Sequence, residues 1–235
     1  MKSEIEKEVG TRGITRLCHF TPARNLVHIA AHPDGIRSTQ ALRDDQSACF
    51  TATDNYRIDG YTNHICCSVE YPNAWYLAKA EPLEVLFKDW VVLLVAPHYI
   101  WHPTTRFCAR NAAAGSGSQV GAGLDGFRSL FAASVLGAYG KVRSRNPKHL
   151  KCSPTDDQAE VLVKSKIPLA EILGVAVKDE SQAKNEIARL RYAGADPEIF
   201  RFVIAPILFD KYGLCGAIRS GNRPAETFYP TDLCP

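Results

Sequence analysis

Apolar residues in this chain fall into short blocks that predict more strands than helices. Residues 91–96 are an unbroken apolar run between Asp89 and Pro97, which is typical of a strand buried on both faces of a sheet. Shorter apolar or β-branched blocks predict further strands at 14–20, 65–69, 160–163 and 200–204, with short extended elements near residue 36 and at 167–173 and 175–177.

The spacing of the other apolar residues predicts helices. Thr21 and Pro22 predict the start of a helix over 25–31, because the hydroxyl can cap the first turn and proline suits the first helical position. Other helices are predicted at 1–12 (a short charged helix or a frayed end), 75–80, 125–135 and 184–192. The polar residues 43–60 predict a long loop. Since strands outnumber helices and no regular βαβ alternation is present, we predict an α+β fold.

Length and composition indicate a single domain over 1–235. A chain of 235 residues with 46% hydrophobic content can bury one sizeable core, and no linker separates two cores. No run approaches the roughly 20 apolar residues of a membrane span, and residues 1–9 are charged, without the apolar stretch of a secretory leader. We therefore expect a monomeric, cytoplasmic protein without a membrane partner.

The eight cysteines predict reduced thiols rather than disulfides or a metal site. No CxxC pair and no Cys/His cluster with zinc spacing is present. Cys66 and Cys67 are adjacent, so on a strand they would face opposite sides. Buried free thiols and no bound metal are the expectation.

Two loops have unusual compositions. Residues 111–123 are rich in glycine, but the spacing of Gly115, Gly117 and Gly121 does not follow GxGxxG, and no Gly-Lys-Ser/Thr follows. This segment is predicted to be a mobile surface loop. Residues 141–151 concentrate Lys and Arg without any acidic residue, although the net charge of the chain is only +3. That cluster is compatible with a solvated loop or with a nucleic-acid contact.

Four short motifs follow one another along the chain. They are His19-Phe20-Thr21 with Asn25, Arg57 with Asp59-Gly60, Tyr71-Pro72-Asn73-Ala74-Trp75-Tyr76, and Gln158-Ala159-Glu160 directly before the apolar strand at 161–163. In this order they resemble the DarT family of DNA ADP-ribosyltransferase toxins, over about residues 13–210. Each motif is short, and it is their common order that makes the resemblance specific.

The resemblance implies an ADP-ribosyltransferase fold, with central, mostly antiparallel split β-sheets and flanking helices. It implies that NAD⁺ is the co-substrate, that nicotinamide leaves, and that ADP-ribose is attached to a base in single-stranded DNA. The sequences at 71–76 and 107–115 look more like the guanine-modifying branch than the thymine-modifying branch. A toxin of this kind implies a de-ADP-ribosylating antitoxin, expected to be separately encoded because this chain has no macrodomain-like extension.

Glu160 and Arg57 are the implied catalytic residues. Breaking the bond between nicotinamide and ribose develops positive charge on the sugar, so a nearby carboxylate, here Glu160, stabilises the transition state. The same carboxylate could accept a proton from the attacking nitrogen. Arg57 offers a planar fork of donors that matches the NAD⁺ diphosphate or the ring edge of an acceptor. Asp59 either orients Arg57 or only begins a turn with Gly60.

Other implied contacts concern the cofactor and the DNA. The implied cofactor-binding residues are His19, Thr21, Asn25, Arg57, Asp59, Tyr71 and Trp75. The implied DNA-binding residues are Arg110, Asn111, Arg143, Arg145, Lys148, His149 and Lys151. Most of the latter lie in 141–157, which has the position of the substrate-recognition loop of this fold. Without the resemblance, His19 and Thr21 would be interpreted as a half-buried histidine and a helix cap.

Two other functions fit the same residues. The fold could serve an acceptor in RNA or protein, or hydrolyse NAD⁺ alone. Alternatively, the chain could be a catalytically inactive nucleic-acid-binding module, whose DNA binding would be insensitive to NAD⁺ and to Glu160→Gln.

Overall fold

The computed structural model describes residues 2–45, 48, 50, 56–83, 88–137 and 140–230. In chain order, the strands are β1 (Leu17–Pro22), β2 (Ile36–Arg37), β3 (His64–Val69), β4 (Trp90–Val95), β5 (Arg106–Cys108), β6 (Gly121–Ala122), β7 (Ser134–Leu136), β8 (Val142–Ser144), β9 (Glu160–Lys164), β10 (Lys166–Ile167), β11 (Ile172–Val177), β12 (Phe202–Ile204) and β13 (Thr227–Tyr229). The helices are α1 (Glu4–Arg12), α2 (Asn25–Ala30), α3 (Thr39–Asp44), α4 (Ala74–Ala80), α5 (Gly123–Ser129), α6 (Glu180–Tyr192) and α7 (Lys211–Ser220).

The large sheet has the strand order β13-β12-β11-β4-β1-β3-β9-β5-β6. Its neighbours are antiparallel except β11 and β12, which run parallel. Strand β1 pairs with β4 along its whole length, but with β3 only through Leu17 and Cys18. Beyond Cys18, therefore, β1 and β3 separate, and the sheet opens into two halves. The predicted α+β class with a split, mostly antiparallel sheet is confirmed.

Strand β4 lies at the centre of the core. All six of its residues are buried, and it pairs with β1 on one side and β11 on the other. Each fully buried Val or Leu side chain contributes about 1.5–3 kcal/mol relative to an exposed one. The prediction of a strand buried on both faces at 91–96 is confirmed, and so is the strand at 160–163, which is also buried.

Some element boundaries differ from the predictions. Thr21 and Pro22 do not begin a helix: they end β1, paired with Val91 and Trp90, and α2 starts at Asn25. The predicted helix 125–135 ends six residues early, and its last residue lies in β7. The strand at 200–204 is followed by α7 and β13, which were not predicted. Much of the predicted loop 43–60 lies outside the described residues.

The described cysteines are all free. They are Cys18, Cys66, Cys67, Cys108, Cys152 and Cys215. Cys67 belongs to the main core, whereas Cys66 packs on the separate cluster around Leu162. Cys49 and Cys234 lie outside the described residues. None of the helices in the described segments is long and apolar enough to cross a membrane.

Candidate active site

A cavity of about 830 Å³ opens where β1 and β3 separate. Small-molecule sites in proteins typically enclose roughly 300–1,000 Å³. Eight predicted site residues line it: His19, Thr21, Asn25, Arg57, Asp59, Trp75, Asn111 and Glu160. Residues that are about 140 positions apart in the sequence therefore meet in one hollow because the split of the sheet exposes the facing edges of its two halves.

Glu160 is the first residue of β9 and is only 9% exposed. It pairs with Cys108 of β5, and its Oε2 accepts a hydrogen bond from the Ala112 N–H at 3.2 Å. The turn before it is held by Asp156, whose Oδ1 accepts from the Gln158 N–H at 2.8 Å. The carboxylate is thus fixed both by strand pairing and by a backbone donor.

Arg57 is 7% exposed and has a left-handed backbone, with φ of 42°. Its Nε and Nη2 donate to the two carboxylate oxygens of Asp59 at 3.1 and 2.9 Å. The guanidinium also donates to the carbonyl oxygens of His64, at 2.7 Å, and of Tyr61. Asp59 therefore orients Arg57, and it also lies in the turn closed by the Gly60 N–H on the Arg57 carbonyl at 2.9 Å.

His19 bridges the two halves of the sheet. Its Nδ1 lies 2.8 Å from the Cys66 carbonyl oxygen, and since a carbonyl only accepts, Nδ1 carries the proton and Nε2 is an acceptor. Burial lowers the pKa of His19, the bond to Cys66 opposes that shift, and the charge of Arg57 lowers it again. The imidazole is therefore neutral near pH 7.

The Cys66 thiol interacts electrostatically with both Glu160 and Arg57. Burial raises the pKa of its thiol well above the usual value, the Glu160 charge raises it further, and Arg57 lowers it. Both charged groups act on one central thiol, and His19 is bonded to the carbonyl of the same residue. The structure thus brings the implied catalytic pair and His19 together, as the sequence motifs predict.

The other predicted cofactor residues divide into two groups. Asn25 donates from Nδ2 to the Thr21 hydroxyl at 2.8 Å, and both side chains are buried in the cavity wall. Trp75 is half-buried in the wall of the cavity. Tyr71 does not line this cavity: it is buried and faces a neighbouring hollow of about 20 Å³, which it shares with Trp75.

Two aromatic residues in the wall have no role in the sequence analysis, although both lie inside its motifs. They are Phe20 and Tyr76, with ring centroids 6.0 Å apart. Position within a motif was the available signal for both. Alternation along β1 could not identify Phe20, because its ring also packs on Trp90, at 5.9 Å.

The glycine-rich segment belongs to the site, contrary to the prediction of a mobile surface loop. Asn111, Ala113 and Ala114 line the cavity, and the Ala112 N–H binds Glu160. At Gly117, whose φ is +80°, an added Cβ would lie 2.3 Å from the Asp59 carbonyl oxygen. Only glycine permits this approach, so the segment packs directly on the turn that carries Arg57.

Most of the predicted DNA-binding residues lie outside the cavity wall: Arg110, Arg143, Arg145, Lys148, His149 and Lys151. Arg145 donates to the Leu150 and Ser153 carbonyls at 2.8 and 2.7 Å. Arg110 donates to two carbonyls at 136 and 137, both at 3.0 Å. His149 is buried, with Nε2 3.1 Å from the Pro154 oxygen. Lys148 and Lys151, by contrast, are exposed.

A protein-family model described as "DarT: ssDNA thymidine ADP-ribosyltransferase, DarT" matches residues 18–203, most of the chain. The chain belongs to the DarT family. The match spans the whole cavity wall described above, whereas α7 and β13 of this DarT-family protein follow it. None of the curated proteins matches the chain. Within the described segments, no group of three His, Cys, Asp or Glu side chains is placed to hold a metal ion.

Solved DarT structures have the same fold. Thermus sp. 2.9 DarT in complex with NAD⁺ superposes with a TM-score of 0.55 at 16% identity, covering 83% of this chain and 97% of that one. The same protein in complex with ADP-ribosylated ssDNA gives 0.55 at 15%, covering 84% and 97%. Thermosipho africanus DarTG in complex with ADP-ribose gives 0.54 at 14%, covering 83% of this chain and 51% of that one.

These comparisons confirm the predicted ADP-ribosyltransferase fold and enzyme class. At 14–16% identity, the likeness to the solved structures concerns the fold alone. Family membership identifies the chain as a DarT-type single-stranded-DNA ADP-ribosyltransferase.

Proposed function

We propose that this protein transfers ADP-ribose from NAD⁺ to a base in single-stranded DNA, with the chemistry centred on Glu160. One observation carries the proposal: Glu160, Arg57 and His19, from three separate motifs, line one cavity of about 830 Å³. Solved relatives in complex with NAD⁺, carba-NAD⁺ and ADP-ribosylated ssDNA support this choice of donor and acceptor.

The proposed reaction exchanges one bond for another at C1′ of the nicotinamide ribose. The C1′–N bond to nicotinamide breaks, nicotinamide leaves with the bonding electrons, and an oxocarbenium-like sugar develops. The Glu160 carboxylate hydrogen-bonds the 2′-hydroxyl and stabilises that charge. A nitrogen of the acceptor base then forms the new C1′–N bond, and its proton passes to Glu160 and on to solvent.

The other cavity residues bind and orient the donor in this proposal. Arg57, held by Asp59, faces the diphosphate or the acceptor base. Neutral His19 presents Nε2 as an acceptor for the nicotinamide amide. Asn25 and Thr21 offer a paired amide and hydroxyl to the ribose.

Guanine is the base that we propose as the preferred acceptor, with thymine as the alternative. The sequences at 71–76 and 107–115 support this choice, because they look more like the guanine-modifying branch. The second segment begins in β5 and reaches the cavity wall at Asn111. The family model is described for thymidine, so both bases require testing. We further propose that the protein acts in the cytoplasm as the monomeric toxin of a pair with a separately encoded antitoxin that removes the ADP-ribose.

Mass spectrometry of treated oligonucleotides tests the proposal. The protein is incubated with NAD⁺ and single-stranded DNAs that each lack one base, with RNA of matched sequence alongside. We expect one ADP-ribose mass on every DNA that contains guanine and none on the guanine-free DNA. A folded protein that adds no ADP-ribose to any strand overturns the activity. Modification of the guanine-free strand, with none on the thymine-free strand, overturns only the choice of guanine as the acceptor base.

We propose that the exposed lysines of the basic segment 141–157 attract the phosphates of the DNA strand electrostatically. Lys148→Ala with Lys151→Ala should raise the KM for oligonucleotide a few-fold and leave the NAD⁺-induced rise in Tm unchanged. Lys184→Ala, an exposed lysine on α6, is the matched control. If the double variant loses oligonucleotide use and the NAD⁺-induced rise in Tm to the same extent, the segment supports the fold rather than the binding of the DNA substrate.

A further inference from the structure

The start of α7 carries an aromatic and cationic patch. Tyr212 is 69% exposed, and its ring meets Trp75 of α4 edge-on, with centroids 5.3 Å apart at 81°. The Lys211 ammonium lies 5.3 Å from the Trp75 ring and 5.1 Å from the Tyr212 ring. We call these three residues the α4–α7 patch. Lys211 and Tyr212, two of the three residues, lie beyond residue 203, where the family match ends.

The patch is continuous with the cavity. Trp75 lines the cavity, and Tyr76 and Lys79 on the same helix line it as well. The Lys79 ammonium lies 6.0 Å from the Tyr76 ring, so a second aromatic–cation pair follows the first along α4. Rings and positive charges therefore extend from the cavity wall out to the exposed face of Tyr212.

Two carboxylates lie near the patch, and one oxygen of each accepts a hydrogen bond from within the protein. Asp210 accepts from the Tyr212 N–H at 3.0 Å and caps α7. Asp157, in the small hollow beside the patch, accepts from Arg219 at 3.2 Å. The chemistry presented outward is thus an aromatic face next to an ammonium group. This is the combination that binds a nucleotide of a single strand, with its base stacked and its phosphate paired.

We infer that the α4–α7 patch binds a nucleotide flanking the acceptor base in single-stranded DNA, with the base on the Tyr212 ring and the phosphate at Lys211. The acceptor strand itself rests on the proposed function, but binding at the patch needs no transfer reaction. The patch lengthens the footprint of the DNA beyond the base in the cavity, and so favours strands over isolated nucleotides.

Binding and kinetics together test this inference. Fluorescence anisotropy without NAD⁺ measures the affinity for a labelled ten-nucleotide strand, and transfer assays compare that strand with the isolated acceptor mononucleotide, which has no flanking nucleotide. Tyr212→Ala should weaken binding and raise KM for the long strand about tenfold, in keeping with one lost base stack. Transfer to the mononucleotide and the NAD⁺-induced Tm shift should not change. Tyr212→Phe keeps the ring and should behave like the wild type.

Lys211→Ala should lower the slope of log affinity against log salt by about 0.7, the value for one phosphate contact of a single strand. Tyr192→Ala is the matched control for Tyr212→Ala, because Tyr192 is also an exposed tyrosine, 96% exposed at the end of α6. If Tyr212→Ala leaves both affinity and long-strand KM at wild-type values, the inference is wrong, whether or not the enzyme is active. If binding falls as expected while no strand is modified, the patch stands and the proposed function fails.

Discussion

Two segments adjoin Glu160 but differ in their relation to the cavity. The glycine-rich segment 111–123 contacts the Glu160 carboxylate, and the basic segment 141–157 precedes Glu160 in the chain. The first has little chemistry in its side chains, yet its backbone binds the Glu160 carboxylate and packs on Asp59. The second has the charges expected of a DNA-binding loop, yet Arg145 and His149 turn inward to backbone carbonyls.

Composition alone therefore does not identify a loop that belongs to a site. An arginine with two carbonyls within reach stabilises its own loop, because the planar guanidinium can satisfy several buried acceptors at once. A glycine can be essential to a site without touching a ligand, because it lets two backbones approach closely.

Glu160→Ala should have the largest effect, since it removes the carboxylate that we propose stabilises the transition state. We expect a loss of transfer of about a thousandfold or more, with folding and the NAD⁺-induced Tm shift preserved. Glu160→Gln keeps an acceptor for the Ala112 N–H and should be equally inactive, which separates charge from structure. Glu198→Gln, at an exposed position, is the control. Near-full turnover of Glu160→Ala would mean that the assigned role is wrong.

Gly117→Ala should lower kcat about tenfold or more, because the new Cβ pushes on the Asp59 carbonyl and displaces the turn that holds Arg57. Gly140→Ala is the matched control beside the basic segment. Its φ of +72° is close to the +80° of Gly117, so both variants share the backbone cost, but among the described residues no atom lies within 4 Å of a Cβ added there. Equal kcat values for the two variants would remove the glycine-rich segment from the site.

The elements of this fold were predictable where one local pattern decided the outcome. The apolar runs at 91–96 and 160–163 became buried strands because both faces of a central strand are covered. Thr21 and Pro22 match a helix start, but pairing with β4 prevailed over that local preference. Helix α7 contains Gly213 and Gly216, which weaken the helical signal and hide it from a propensity argument.

The candidate site was predictable through its motifs and not through its supports. Glu160, Arg57 and His19 stood in motifs whose order carried the resemblance, and all three line the cavity. The need for glycine at Gly117 depends on Asp59, far away in sequence, so no local pattern could reveal it. Likewise, the sequence does not distinguish the inward Arg145 from the exposed Lys148, since both are cations in one polar loop.

Arg145→Ala should lower the free energy of unfolding by about 2–3 kcal/mol, because the Leu150 and Ser153 carbonyls lose a charged donor. Urea denaturation measures the change. Lys151→Ala, an exposed cation in the same segment, should stay within about 0.5 kcal/mol of the wild type. If Arg145→Ala instead weakens oligonucleotide binding at unchanged stability, Arg145 contacts DNA and does not serve to stabilise its own loop.

His149 gives the smallest effect and a pH signature of the basic segment. Burial lowers the pKa of His149 to about 4, and the Arg145 charge adds to this, whereas an unfolded histidine titrates near 6.5. Between about pH 4 and pH 6.5, therefore, the unfolded state binds more protons than the folded state. The contribution of His149 to the free energy of unfolding is fully present above about pH 6.5 and is lost as the pH drops toward 4. The buried Nδ1 has no hydrogen-bond partner among the described residues, which also disfavours the charged ring.

The loss from this one group should be about 1 kcal/mol between pH 7.5 and pH 5.5. His149→Gln cannot titrate, so its free energy of unfolding should fall less than that of the wild type over the same interval. The comparison uses the pH difference within each protein, because the variant also loses the bond to the Pro154 carbonyl. His19, buried in the cavity, shifts in the same direction and remains in both proteins. An unchanged pH difference in His149→Gln would show that the folded protein takes up a proton on this ring without cost, and hence that the loop around His149 is open to solvent.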